Sequence, residues 1–102
     1  MAKAYYTDYA SHAMRYFARN QDQLGNLHFR SNAEMMDWNA CIQTMGSFDN
    51  DQKSILLELY CGWQSFPENV ARVSKERGIA QSTIWAWNND LLEVFAKNRG
   101  LI

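Results

Sequence analysis

The stretch ENVARVSKERGIAQSTIWAWNN, residues 68–89, decides how the chain is read. A short helix before Gly78 and a longer one after Ala80 are the order that a DNA-reading pair of helices requires. Val73 packs inward from the first helix, and small Ser74 lets the second approach. Gly78 permits the sharp turn, and Ile79, Ile84 and Trp87 lock the angle between the two. Arg77 departs from the pattern, which usually places an apolar residue just before that glycine. With this angle the first turns of the second helix enter the major groove, and Ala80, Gln81, Ser82, Trp85, Ala86 and Asn89 face it. Gln81 and Asn89 pair a donor with an acceptor, as adenine requires. Ser82 can contact a base or a phosphate, and Ala86 leaves room for a thymine methyl. Lys75, Arg77 and Thr83 are placed to hold the phosphate backbone.

Competing readings apply to the same residues. A helical hairpin with a glycine turn also occurs in domains that never touch nucleic acid. Ser82, Ala86, Asn89 and Glu93 make a face that suits plain solvation. Trp85 lies at the edge of the apolar stripe, where burial at the core or its rim competes with a groove contact. Asn88 is near the same edge and needs a hydrogen-bond partner if buried. Asp90 and Glu93 would repel phosphates, so only the amino-terminal end of the helix can enter a groove.

Outward from this stretch, the last helix is expected over 80–97, with Ile84, Trp87, Leu91, Val94 and Phe95 on one face. Pro67 suits a first helical turn, so the preceding helix is expected to start near Glu68 and end at Arg77 or Gly78. Trp63 and Phe66 fall in a short turn before it. A helix capped by Asp49 or Asp51 buries Ile55, Leu56, Leu59 and Tyr60 and ends near Cys61 and Gly62. Ser31 and Glu34 form a capping box for a helix whose stripe is Met35, Trp38, Cys41 or Ile42, and Met45. Gly46 closes it, in the left-handed conformation that glycine tolerates. The first helix is expected over 5–20, with Tyr6, Tyr9, Ala10, Ala13, Tyr16 and Phe17 as a core stripe. Residues 21–30 read as an irregular connection around Gly25, anchored by Leu24, Leu27 and Phe29.

The predicted architecture is therefore all-α: a compact multi-helix domain, residues 1–102, with an amino-terminal helical part (1–46) and a carboxy-terminal helix-turn-helix part (47–102). Composition agrees. Among 102 residues, 47% are hydrophobic and only one is proline, enough apolar mass for one core and too much for a disordered chain. No run approaches the roughly 18 apolar residues that span a bilayer, and residues 1–20 have no cleavable signal pattern. No membrane contact is expected, and the cytoplasm of a bacterial host is the expected location. Cys41 and Cys61 are read as buried free thiols. No cofactor, metal or catalytic site is expected, because His12 and His28 are isolated and no phosphate loop or nucleophile motif accompanies them.

The formal charge is −1, which sits awkwardly with DNA binding, since lysine and arginine supply most non-specific affinity. The basic excess is confined to residues 52–102, with six basic against five acidic groups.

From Phe48 onward the chain resembles region four of the primary sigma-factor family: SILLELY (54–60) in one helix, a turn, a short helix, then GIAQSTIW (78–85) opening the last. Across the whole chain, AYYTDYASHAMRYF (4–17), DWNAC (37–41) and KNRGLI (97–102) resemble small sigma-like transcription regulators encoded by phages of Gram-positive bacteria, including the ArpU-type late-gene regulators. The resemblance implies double-stranded DNA and host RNA polymerase as partners. A second tether would make a weak individual DNA affinity useful. The sequence leaves open a homodimer, a DNA-packaging or recombination accessory using the same pair of helices, and a protein-interaction module anchored by Tyr5, Tyr6, Tyr9, Trp38 and Trp63 that modulates a host transcription protein without touching DNA.

Overall fold

Three of the helices start at a side chain that accepts from an orphan backbone amide. The structure, a computed structural model, describes residues 5–23 and 28–102; Leu24, Gly25 and Leu27 lie outside them. Within the described residues the fold is all-helical: α1 (Thr7–Arg19), a 3-10 turn at Gln21–Gln23, α2 (Asn32–Met45), α3 (Asn50–Cys61), α4 (Phe66–Arg77) and α5 (Gln81–Arg99). None of these helices is long and apolar enough to cross a membrane.

Asp49 caps α3 through a full capping box with Gln52. At α2 the Ser31 hydroxyl accepts from the Glu34 amide, but the Glu34 carboxylate reaches back to the amide of Arg30 instead of Ser31. α4 begins at Phe66, two residues before the expected start, because the Ser65 hydroxyl accepts from the Glu68 amide while Pro67 occupies the first turn. Phe66 is thus part of the helix. Gly46 closes α2 with a right-handed φ of −63°, so left-handed closure is not its role. The chain instead leaves α2 in tight turns, Ser47 N to Thr44 O and Phe48 N to Met45 O, which bring Phe48 onto the core.

Helix α5 touches all four others. Its inward residues Ile84, Leu91 and Phe95 are fully buried against Met14 and Phe17 of α1, Trp38 and Cys41 of α2, Leu56, Leu59 and Tyr60 of α3, and Val70 and Val73 of α4. Burying one such aliphatic or aromatic side chain contributes about 1.5–3 kcal/mol.

Three expectations about this core are corrected. Tyr9 and Tyr16 are 42% and 40% exposed. α1 buries Ala10, Ala13, Met14 and Phe17 at the closest approach, and the tyrosines straddle its edges. The Tyr9 hydroxyl donates to Asp37 Oδ1 at 2.7 Å, and the Tyr16 ring stands edge-on to Trp38. On α2, Met35 and Ile42 are likewise exposed while Cys41 and Met45 are buried. Cys61 is also exposed. It lies about 100° beyond buried Tyr60 on α3, which carries it past the core edge, with its sulfur 3.1 Å from Ala18 O. Cys41 is buried, and burial pushes its thiol up to about 12.

Three polar side chains lie inside. Thr44 donates to Ala40 O at 2.6 Å and accepts from Asn98 at 3.1 Å. Asn88 Oδ1 accepts from the Tyr60 hydroxyl. Asn69 Nδ2 donates to Leu59 O at 3.1 Å and Gln64 O at 3.3 Å, so its amide bridges the end of α3 to the turn before α4. Gly62 sits directly against that amide: a Cβ there would meet the Asn69 side chain at 2.4 Å. Gly62→Ala is therefore expected to displace a buried, doubly bonded group and cost about 1–3 kcal/mol, read as a lower urea midpoint. An unchanged midpoint would show that Asn69 yields without loss.

Candidate nucleic-acid interface

Helices α4 and α5 are joined by Gly78, Ile79 and Ala80. Gly78 adopts φ 66° and ψ 36°, a left-handed conformation that side-chain-bearing residues resist. A Cβ there would touch nothing within 4 Å, so its requirement is conformational. Ser74 contributes more than small size. Its carbonyl accepts from Ile79 N at 3.1 Å, and its hydroxyl donates to Ile79 O, tying the turn from both sides. Val73 and Ile84 are buried on either side, and Ile79 and Trp87 pack partly buried against the same core.

This arrangement leaves Ala80, Gln81, Ser82, Thr83, Ala86 and Asn89 exposed at the start of α5. None of the side chains of Gln81, Ser82, Thr83 and Asn89 has a hydrogen-bond partner among the described residues. Trp85 belongs to the rim. It is 36% exposed, and its ring lies 5.4 Å from that of Phe66, so packing on α4 already occupies one side of it.

The amino terminus of α5 differs electrostatically from the others. α2, α3 and α4 are capped by Ser31, Asp49 and Ser65, and α1 to α4 each have an acidic residue in the first turn. α5 starts at Ala80 with no side-chain cap and no acidic residue in its first turn. Thr83 N and Ile84 N both reach Ala80 O, leaving the amides of Gln81 and Ser82 directed away from the helix. Such an end carries partial positive charge uncompensated by the chain.

The basic residues divide. Lys75 is exposed, without an ion pair among the described residues. Arg77 turns back to α3, donating to Glu58 Oε2 at 2.8 Å and Ser54 Oγ at 3.2 Å. Arg72 shares the same carboxylate at 3.3 Å and also pairs with Glu76. Lys97 pairs with Glu93, and Arg99 with Asp37 at 2.7 Å. Arg77 stands where an apolar residue was expected because its role here is to clamp α4 to α3. Burial pushes the Glu58 carboxyl up, but hydrogen bonds and charge from Arg77 and then Arg72 outweigh it, holding the group below its ordinary value. Neither Arg72 nor Glu58 stood out in the sequence, since the Glu58–Arg77 pair spans 19 residues. The Ser65-Phe66-Pro67-Glu68 pattern could have revealed the Ser65 cap.

His12 and His28 are exposed. Among the described residues no three His, Cys, Asp or Glu side chains are grouped as metal ligands. The chain matches no protein-family model, no curated protein and no solved structure.

Because the Glu58 carboxyl titrates lower folded than unfolded, its contribution to stability is fully present above its unfolded value and is lost as pH falls through the folded one. Glu58→Gln should therefore cost up to about 1 kcal/mol at neutral pH, as expected for partly exposed pairs. The gap to wild type should close in acid, below about pH 4. Urea denaturation of both proteins across that range measures it; a gap independent of pH would refute the ion-pair origin.

Proposed function

We propose that this chain is a sequence-specific DNA-binding transcription regulator of phage or prophage genes, reading the major groove with the amino-terminal half of α5. One observation carries the reading: Gln81, Ser82 and Asn89 stand together exposed and unbonded, just beyond the Ser74–Ile79 turn. A solvated polar face alone would look similar. The uncapped start of α5 and the exposed, unpaired Lys75 in the last turn of α4 supply what such a face would otherwise lack, a local preference for anions. The resemblance to sigma region four, carried by SILLELY and GIAQSTIW, and to the phage regulators, carried by AYYTDYASHAMRYF, DWNAC and KNRGLI, gives the same assignment.

In this reading Gln81 and Asn89 contact base edges, Ser82 contacts a base or a phosphate, and Lys75 and Thr83 hold the phosphate backbone. Arg77 is engaged by Glu58 and contributes little. With so few free cations, affinity for DNA alone is low, and host RNA polymerase supplies the second contact that makes it sufficient. A specific observation also favours a rival, a module that captures a host transcription protein without binding DNA. Trp63 is 87% exposed, with the Arg19 guanidinium 4.3 Å from its ring centre, and tryptophan and arginine are the residues most enriched at interface hot spots. In the favoured reading this pair belongs to the polymerase contact.

Binding to fragments of the encoding genome, with and without host polymerase, tests the proposal. Specific binding is expected to fall about tenfold or more in Gln81→Ala and in Asn89→Ala, since a bidentate base contact is worth about 1–3 kcal/mol. Lys75→Ala should weaken all sequences alike and flatten the salt dependence by about one unit in log–log slope. Binding to polymerase that survives all three changes, with no DNA binding under any salt condition, would replace this proposal with the protein-capture reading.

A further inference from the structure

The outer face of α2 is unlike that of any other described helix. At about 100° per residue, Met35, Met36, Asn39, Ile42 and Gln43 fall in one sector roughly a third of the helix wide. All five are exposed, Met36 and Ile42 by 49% and 52%. None is charged. Every other α-helix presents exposed charge: Arg15 and Arg19 on α1, Asp51 on α3, Lys75 and Glu76 on α4, Asp90 and Glu93 on α5.

We propose that this face docks a second copy of the chain, α2 against α2 about a two-fold axis. A two-fold contact brings each patch onto its own image, so any charge near the axis meets its like. α2 is the helix whose outward face avoids that cost. Its polar members fit the same geometry, because the amides of Asn39 and Gln43 each hold a donor and an acceptor and can pair with their own copies. Methionine adapts to its image without a preformed hole. A charged partner such as nucleic acid finds nothing complementary here. A lipid surface would favour a lysine- or arginine-bordered face.

Two further properties follow from the position of α2. Its 14 residues make a contact of about 21 Å, short for a standard interface of roughly 800 Å² per partner. A contact of this length points to a weak, reversible dimer. α2 is also tied to the carboxy-terminal end of α5, through Asp37–Arg99 and Thr44–Asn98. The exposed set from Gln81 to Asn89 lies at the other end, so dimerisation leaves it uncovered and stands independently of DNA binding.

In an antiparallel pairing Asn39, near the middle of α2, lies closest to the axis and faces its own copy. Sedimentation equilibrium from about 5 to 500 µM should find a reversible monomer–dimer equilibrium for the wild-type chain. Asn39→Glu and Asn39→Lys, each alone, should weaken the dimer at least tenfold with unchanged thermal unfolding, since the position is exposed. An equimolar mixture of the two should restore it. A wild-type chain that stays monomeric throughout, or single variants that dimerise like wild type, would overturn the proposal. So would a mixture that fails to restore the dimer, which would assign the face to a different molecule. Each variant should still bind DNA as a monomer, so loss of the dimer and failure of the DNA reading are distinguishable.

Discussion

A hydrogen bond inside the core, from the Tyr60 hydroxyl on α3 to the Asn88 side-chain Oδ1 on α5, sets the rotation of the longest helix about its own axis. Apolar packing of Ile84, Leu91 and Phe95 confines that rotation only to a sector, since shape-tolerant contacts can slide. A buried amide cannot, because leaving it unpaired costs about 1–3 kcal/mol. Burial raises the Tyr60 phenol above its ordinary value, so it stays a neutral donor at physiological pH. With Asn88 held inward, its neighbour Asn89 stands about 100° away, on the exposed face with Ser82 and Ala86. One buried pair thus separates the residues available to a partner from those that hold the fold.

The turn completes what the rotation begins. Gly78 takes the left-handed conformation and Ser74 bonds Ile79 twice, so α4 and α5 meet in a defined corner with the bare amino terminus of α5 at its outer edge. The charges around the corner are mainly structural. Arg72 and Arg77 are drawn onto Glu58 and clamp α4 to α3. The chain therefore has fewer free cations than its sequence suggests, and the proposed DNA contact through this corner would rest on local geometry and on a second partner.

Much of this fold was legible along the sequence, because local signals set it. Ser31, Asp49, Pro67 and Gly78 mark helix ends through backbone requirements that no distant contact needs to supply. The inward positions of α3 followed from spacing alone, as Ile55, Leu56, Leu59 and Tyr60 are all buried. What was not legible depends on partners far away in sequence. Tyr9 and Tyr16 share a stripe with Phe17, yet their hydroxyls and ring edges belong at the boundary, and Met14 takes the depth between them. Cys61 is apolar by type but lies one residue past the buried arc. Arg77 reads as a phosphate ligand until Glu58 is brought beside it, and the partner that Asn88 needs comes from Tyr60, 28 residues away. The exposure of Gln81, Ser82 and Asn89 followed from periodicity; the bareness of the α5 terminus followed from Ala80 only once the helix start was located.

The most direct measurement is a residue-by-residue map of backbone amide chemical shifts as a short DNA duplex is added at low salt. Perturbations should concentrate at Lys75 and from Ala80 to Asn89, strongest at the free amides of Gln81 and Ser82, and fade along α5 toward Arg99. Perturbations centred on α1 or α2, or none at any duplex concentration, would contradict a groove-reading α5.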